Sequence, residues 1–257
     1  MHILVTNDDG VQAPGLLALA QAMRQIGQVT VVAPDRNWSA SGHVKTLERP
    51  IRVTETLLAD GTAAYMSDGA PSDCVALPLL GFLENKVDLV VSGINPFSNI
   101  GHDVTYSGTV TAAMEAVIAG VPGIAFSLAS ETKPSNTPTD YGPAGDVAKR
   151  VVQTAIQGGL MEGVVLNVNI PYLRIEDMKG FAITRQGLRV YRDALDRRVD
   201  PRGRPYYWIG GEAPTGVNEE GTDVGALAAG YVSITPLQLD LTHYKAMDEL
   251  KQRDWTM

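Results

Sequence analysis

Short apolar runs alternate with segments of helical periodicity from the first residues of the chain. Residues 2–6 (His-Ile-Leu-Val-Thr) form a compact apolar run closed by Asn-Asp-Asp-Gly, which predicts a buried strand followed by a turn. Over 14–26, Leu16, Leu17, Leu19, Ala20, Met23 and Ile26 recur at helical spacing, with Pro14 opening the segment and Gly27 closing it. Residues 29–33 read as a second strand stopped by Pro34. Strand, helix and strand thus fit within the length of one βαβ unit.

The alternation continues. Residues 35–46 are polar and irregular, and strands are expected at 51–55 and 64–67. A helix is expected over 72–83, capped by Ser72 and bent by Pro78. A strand at 88–92, a long Gly/Asn/Ser loop, an Ala- and Val-rich helix over 108–119 and a strand at 123–127 follow. A loop over 129–141 leads to a helix over 142–157, with Val147, Val151, Val152 and Ile156 on one face. Strands at 164–170 and 179–185 come next. This order implies an α/β fold with a mostly parallel sheet and right-handed crossovers. Residues 186–222, dense in charge, Gly and Pro, predict a long β-hairpin or extended arm; a strand at 231–235 and an amphipathic C-terminal helix complete the chain. The expected organisation is a core over 1–185 and a hairpin and C-terminal arm over 186–257, acting as one functional domain.

Composition narrows the function classes. At 257 residues and 44% hydrophobic, the chain can bury one large core, and 26 Gly with 15 Pro suit a turn-rich α/β protein. A net charge of −8 disfavours nucleic-acid polymers and anionic membranes as partners. It leaves room for a small phosphorylated substrate, because a local metal or helix terminus outweighs the average field. The single cysteine, Cys74, excludes an internal disulfide and Cys-rich zinc sites. The N-terminus reaches two acids within nine residues without a basic leader, and no apolar run approaches a membrane span of about 18 residues. A cytoplasmic location is the expectation.

The candidate chemistry lies where strands end. Asn7-Asp8-Asp9-Gly10 follows the first strand, and ligands of open α/β sheets bind at carboxyl strand ends. Adjacent carboxylates repel unless a cation sits nearby, and hard oxygen donors suit Mg²⁺, Mn²⁺ or Ca²⁺; an Asx-rich turn bonded to its own backbone is the plain alternative. Asp35-Arg36-Asn37-Trp38-Ser39 leaves the second strand, offering a Ser39 hydroxyl to a metal and Asn37 or Arg36 to substrate. Asn95, after Ser92-Gly93-Ile94, adds a carbonyl oxygen. Tyr106-Ser107-Gly108-Thr109 enters a helix whose free N–H groups favour phosphate, with Ser107 as N-cap. Each piece is weak alone. In a parallel sheet these ends share one rim, and a cation beside an anion-binding helix end is what phosphate-ester hydrolysis requires.

Together these segments resemble the survival protein SurE family of 5′/3′-nucleotidases. Ala33-Pro34-Asp35-Arg36-Asn37, Gly69-Ala70-Pro71-Ser72-Asp73-Cys74-Val75, Asn167-Val168-Asn169-Ile170-Pro171, Tyr207-Trp208-Ile209-Gly210 and the 230–237 block extend the similarity over nearly the whole chain. The resemblance implies a Rossmann-like core and an arm exchanged between subunits of a homodimer or homotetramer. It implies one divalent cation per subunit, Mg²⁺ or Mn²⁺, held by Asp8, Asp9, Ser39 and Asn95, with phosphate near Asn99, Ser107, Gly108 and Thr109. The implied substrates are nucleoside 5′- and 3′-monophosphates, and sometimes short polyphosphate. Phe97-Ser98 stand where the family usually carries Gly-Pro, and Trp38 replaces a frequent basic or small residue; both departures bear on substrate choice.

Other readings are weaker. His43 and His102 lie in loops near the site and read as solvated. Cys74 reads as a buried, inert thiol. The charged stretch 185–204 reads as arm or subunit contact. An aspartyl-phosphate phosphatase would place its nucleophile at Asn7, which favours a metal-activated water instead, with Asp8 or Asp9 as a candidate general base. A dinucleotide oxidoreductase lacks its Gly-x-Gly-x-x-Gly. A nucleotide-binding regulatory module without turnover is the rival of another class, and a broad-specificity acid phosphatase or exopolyphosphatase the rival within the same class.

Overall fold

In a computed structural model describing residues 1–133 and 137–256, the first apolar run forms β1 (His2–Thr6), every residue of which is buried. Helix α1 (Pro14–Arg24) follows, with Pro at its first turn and Leu16, Leu19, Ala20 and Met23 turned inward. It returns the chain to β2 (Gln28–Pro34), parallel to β1. An antiparallel pair, β3 (Val53–Leu57) and β4 (Ala63–Ser67), extends this side of the sheet.

Helix α2 (Pro71–Leu77) is shorter than expected: at Pro78 the chain passes into a single wide π turn, Pro78–Phe82. Its start also differs. Ala70 is the N-cap, its N–H bonded to the Asp73 carboxylate at 2.8 Å, and the buried Ser72 hydroxyl has no partner. β5 (Leu89–Asn95), α3 (Gly108–Ile118), β6 (Gly123–Ala129), α4 (Gly142–Gly158) and β7 (Val164–Pro171) continue the alternation. Residues 134–136 of the expected 129–141 loop lie outside the described residues.

The expected strand over 179–185 shrinks to β8 (Phe181–Ile183) at the sheet edge. β9 (Arg189–Val199) and β10 (Pro205–Gly216) form the expected hairpin as a separate two-stranded sheet. A short helix, α5 (Asp223–Ala228), precedes β11 (Val232–Gln238), and α6 (Tyr244–Lys251) ends the chain. β11 runs antiparallel to β7 and lies between β7 and β8. The boundary expected at residue 185 therefore does not divide the main sheet, which takes in a strand from the last thirty residues of the chain.

The nine-stranded order is β3-β4-β2-β1-β5-β6-β7-β11-β8. One apolar layer packs α1 and α4 on the sheet through Leu16, Leu19, Met23, Val147 and Val151. The other face is covered by α2 and α3 through Cys74, Val75, Ala112 and Ala116 against Leu4, Val32 and Val90. The chain leaves β1 toward β2 and later returns to its other side as β5, so strand order reverses at β1, where crevices open in doubly wound sheets.

Candidate metal and phosphate site

Asn7-Asp8-Asp9-Gly10 leaves β1 at that reversal. The Asn7 side chain closes the turn on itself, donating to Gly10 O at 3.0 Å and accepting from Gly10 N at 3.2 Å. The bonds that close this turn come from Asn7, and neither the Asp8 nor the Asp9 carboxylate takes part in them. Asp8 is 3% exposed and Asp9 is half-buried. Among the described residues neither carboxylate forms an ion pair. Burial pushes the Asp8 carboxyl above its ordinary range, although the Thr109 hydroxyl and the backbone N–H groups of Gly108 and Thr109 oppose the rise. Burial and then the neighbouring Asp8 charge push Asp9 up to about 7.

The β2 loop is docked directly on Asp8. Trp38 N–H donates to Asp8 O at 2.7 Å, which puts Ser39 one residue from the Asp8 backbone. Asn37 accepts from Ser39 N–H at 2.6 Å, so its side-chain carbonyl orients Ser39 and only its amide nitrogen remains for substrate. Arg36 stacks over Trp38 at 4.6 Å from the ring centroid. His43 and Lys45 pair with the buried Glu115 of α3 at 3.0 and 2.6 Å and hold the far end of this loop on that helix. His43 is therefore a structural partner, while His102 is exposed.

From β5, the Asn95 amide donates to Phe97 O at 2.6 Å, leaving its Oδ1 as the outward acceptor. β1 and β5 are in register at Thr6↔Ser92, so both chains reach the same rim. Ser107 caps α3, accepting from Val110 N–H at 3.1 Å. Gly108 lies against Asp8 so closely that a Cβ there would come within 2.6 Å of the Asp8 Cβ. Thr109, expected near phosphate, is fully buried and gives its hydroxyl to Asp8 Oδ1. The positive end of α3 thus already faces one carboxylate.

Asn99 is held more firmly than its loop sequence suggests. Its amide donates to Ser127 Oγ at 2.8 Å, its N–H to Asn169 Oδ1 at 2.8 Å, and its carbonyl accepts from Asn167 and Asn169. The signal was visible as two Asn residues alternating with apolar ones on a strand buried on both faces. Asp223 was missed altogether. Its buried carboxylate accepts from Gly101, Gly187 and Val224 N–H at 2.7–2.8 Å and ties this loop to the hairpin root.

The residues fit a hard divalent cation. A buried and a half-buried carboxylate, without a basic partner among the described residues, meet loops offering a Ser hydroxyl and an Asn carbonyl. Among the described residues no three His, Cys, Asp or Glu side chains gather into a cluster, so such a site has to draw on neutral oxygens.

A family model described as Survival protein SurE matches residues 3–193. The chain is 51% identical over 255 residues to a protein of Herpetosiphon aurantiacus named 5′-nucleotidase SurE, covering 99% of each chain. It is equally 51% identical over 255 residues to one of that name from Chloroflexus aggregans, covering 99% of this chain and all of the other. The crystal structure of the SurE protein of Aquifex aeolicus superposes with a TM-score of 0.81 at 43% identity, covering 98% of both chains.

Proposed function

This chain belongs to the SurE family, and from that premise we propose that it hydrolyses nucleoside 5′- and 3′-monophosphates to nucleoside and phosphate with a divalent cation, Mg²⁺ or Mn²⁺, one per subunit. The observation that carries the reading is the pair Asp8 and Asp9, unbalanced by any basic side chain among the described residues, at the reversal of strand order and beside the start of α3. Asp8, Asp9, Ser39 and Asn95 would hold the ion. Bound there, it would polarise the phosphoryl oxygen and lower the pKa of an attacking water.

The chain's own groups have separable tasks in this reading. The Thr109 hydroxyl fixes one Asp8 oxygen and keeps the carboxylate aimed. The Ser107 oxygen is occupied as a cap acceptor, which leaves its hydroxyl hydrogen for a phosphate oxygen. Asn37 retains its amide nitrogen and Asn99 its Oδ1 toward substrate. Asp9, the more exposed carboxylate, is the better placed of the two to take the proton of the water. No helix among the described residues is long and apolar enough to cross a membrane. The lone, buried, unpaired Cys74 supports a cytoplasmic setting.

The test is phosphate release from a panel of 5′- and 3′-nucleoside monophosphates with Mg²⁺, Mn²⁺ or Ca²⁺, each against an EDTA control. Release that requires a cation is expected. Nucleotide binding without release under every ion would leave a sensor and end the phosphatase reading.

A further inference from the structure

The loop that follows Asn95 carries a large apolar ring on its surface. Phe97 is 60% exposed. The backbone that carries it is held on both sides. Pro96 O accepts from Ser130 N–H at 3.3 Å and from the Ser130 hydroxyl. Phe97 O accepts from the Asn95 amide at 2.6 Å. Ser98 N–H and its hydroxyl both donate to the Glu131 carboxylate. Three consecutive residues are therefore pinned to β5 and to the turn after β6, while the ring between them stays in water. A fixed backbone presenting a solvated ring is a preorganised stacking surface, because little ordering entropy remains to be lost when a flat ligand settles on it.

Other aromatics nearby are less suited. The Trp38 ring is already covered by Arg36, 4.6 Å from its centroid. Tyr106 lies toward the hairpin root: its N–H donates to Asp103 O at 3.0 Å, and the Asp103 carboxylate accepts the Tyr191 hydroxyl. Tyr106 is as exposed as Phe97 at 60%, but Phe97 joins its exposed ring to a pinned backbone two residues from Asn95.

We propose that Phe97 is the nucleobase platform of the site, stacking on the base of a nucleotide whose phosphate lies at Asp8 and Asp9. This rests on the phosphatase reading and adds the base to it. Stacking is tolerant of base identity because every base has a π face, and it favours purines through their larger area.

The test compares adenosine 5′-monophosphate with ribose 5-phosphate, the same ester without a base, in wild type, Phe97→Ala and Phe97→Trp. Both turnover and Kd by titration calorimetry with Mn²⁺ are read. The expected result is an AMP-to-ribose-5-phosphate kcat/KM ratio about tenfold lower in Phe97→Ala, carried by KM, with the Kd ratio falling in parallel. Phe97→Trp restores both ratios. Ratios that stay at the wild-type value in Phe97→Ala, or a wild type that binds the two esters equally, overturn the proposal. If wild type binds AMP but turns over neither ester, the phosphatase reading fails, while the Kd ratio still decides whether Phe97 holds the base.

Discussion

Asp8 is buried and its neighbour Asp9 half-buried, and among the described residues no cationic side chain balances them. Such a pair destabilises the metal-free fold, since each ionised group pays desolvation and repels the other. Asp9→Asn removes one charge at nearly constant shape. Relief equal to one unit of carboxylate pKa, about 1.4 kcal/mol, raises the metal-free melting temperature by about 3–5 °C for a chain of this size. The same variant loses the upward shift that Mn²⁺ gives wild type and loses turnover by about 10²-fold or more. Differential scanning calorimetry with EDTA and with Mn²⁺ reads both effects; a variant that melts lower than wild type without metal would contradict the unbalanced-pair argument. In sequence this pair stood out only together with the other strand-end loops, because an Asx-rich turn accounts for the tetrapeptide equally well. The Asp8 partner did not stand out. Thr109 looks in sequence like a residue of an anion-binding helix start, and only the close approach of α3, allowed by the missing Cβ of Gly108, turns its hydroxyl onto Asp8 instead.

At the level of elements, most strands of the first two thirds were readable, since a strand buried on both faces is short and mostly apolar. What sequence could not supply was long-range pairing. β11 is as apolar as its neighbours, yet nothing local says that it enters between β7 and β8. The six residues of α5 are too few to show periodicity. That helix matters because its first residue, Asp223, clamps three N–H groups from three segments. Asp223→Ala leaves these buried donors unsatisfied at about 1–3 kcal/mol each, and part of that is recovered by water. A net loss of about 3 kcal/mol in urea unfolding is expected, with a raised KM for nucleotide, because Gly101 anchors the loop that carries Asn99. A change below about 0.5 kcal/mol, the usual surface range, would show that the clamp is not holding the loop.

At the scale of the whole molecule, the hairpin stands apart from the main core. β9 and β10 pair only with each other, and from Tyr191 to Val199 every side chain of β9 is exposed. A lone two-stranded ribbon is marginal in water, yet this one carries Leu195 opposite Ile209, 68% and 82% exposed, beside Tyr207 and Trp208. Apolar groups of this size on a ribbon that also carries Arg192, Asp193, Asp196, Arg197 and Arg198 call for a surface of similar character, which a second copy of the ribbon supplies by symmetry. The chain is therefore expected to run as a homodimer or homotetramer in light scattering. Leu195→Asp combined with Ile209→Asp places carboxylates in the centre of that contact and lowers the measured mass to that of one chain. The double variant keeps its far-ultraviolet circular dichroism, because neither side chain contributes to the main core. The root of the ribbon is fastened to the Asn99 loop through Gly187, Asp223 and the Arg189–Asp103 pair at 2.8 Å. Dissociation should therefore reach the site as a rise in KM larger than any fall in kcat. A wild type that is already monomeric at micromolar concentration would remove the self-association argument and leave the ribbon needing a different partner.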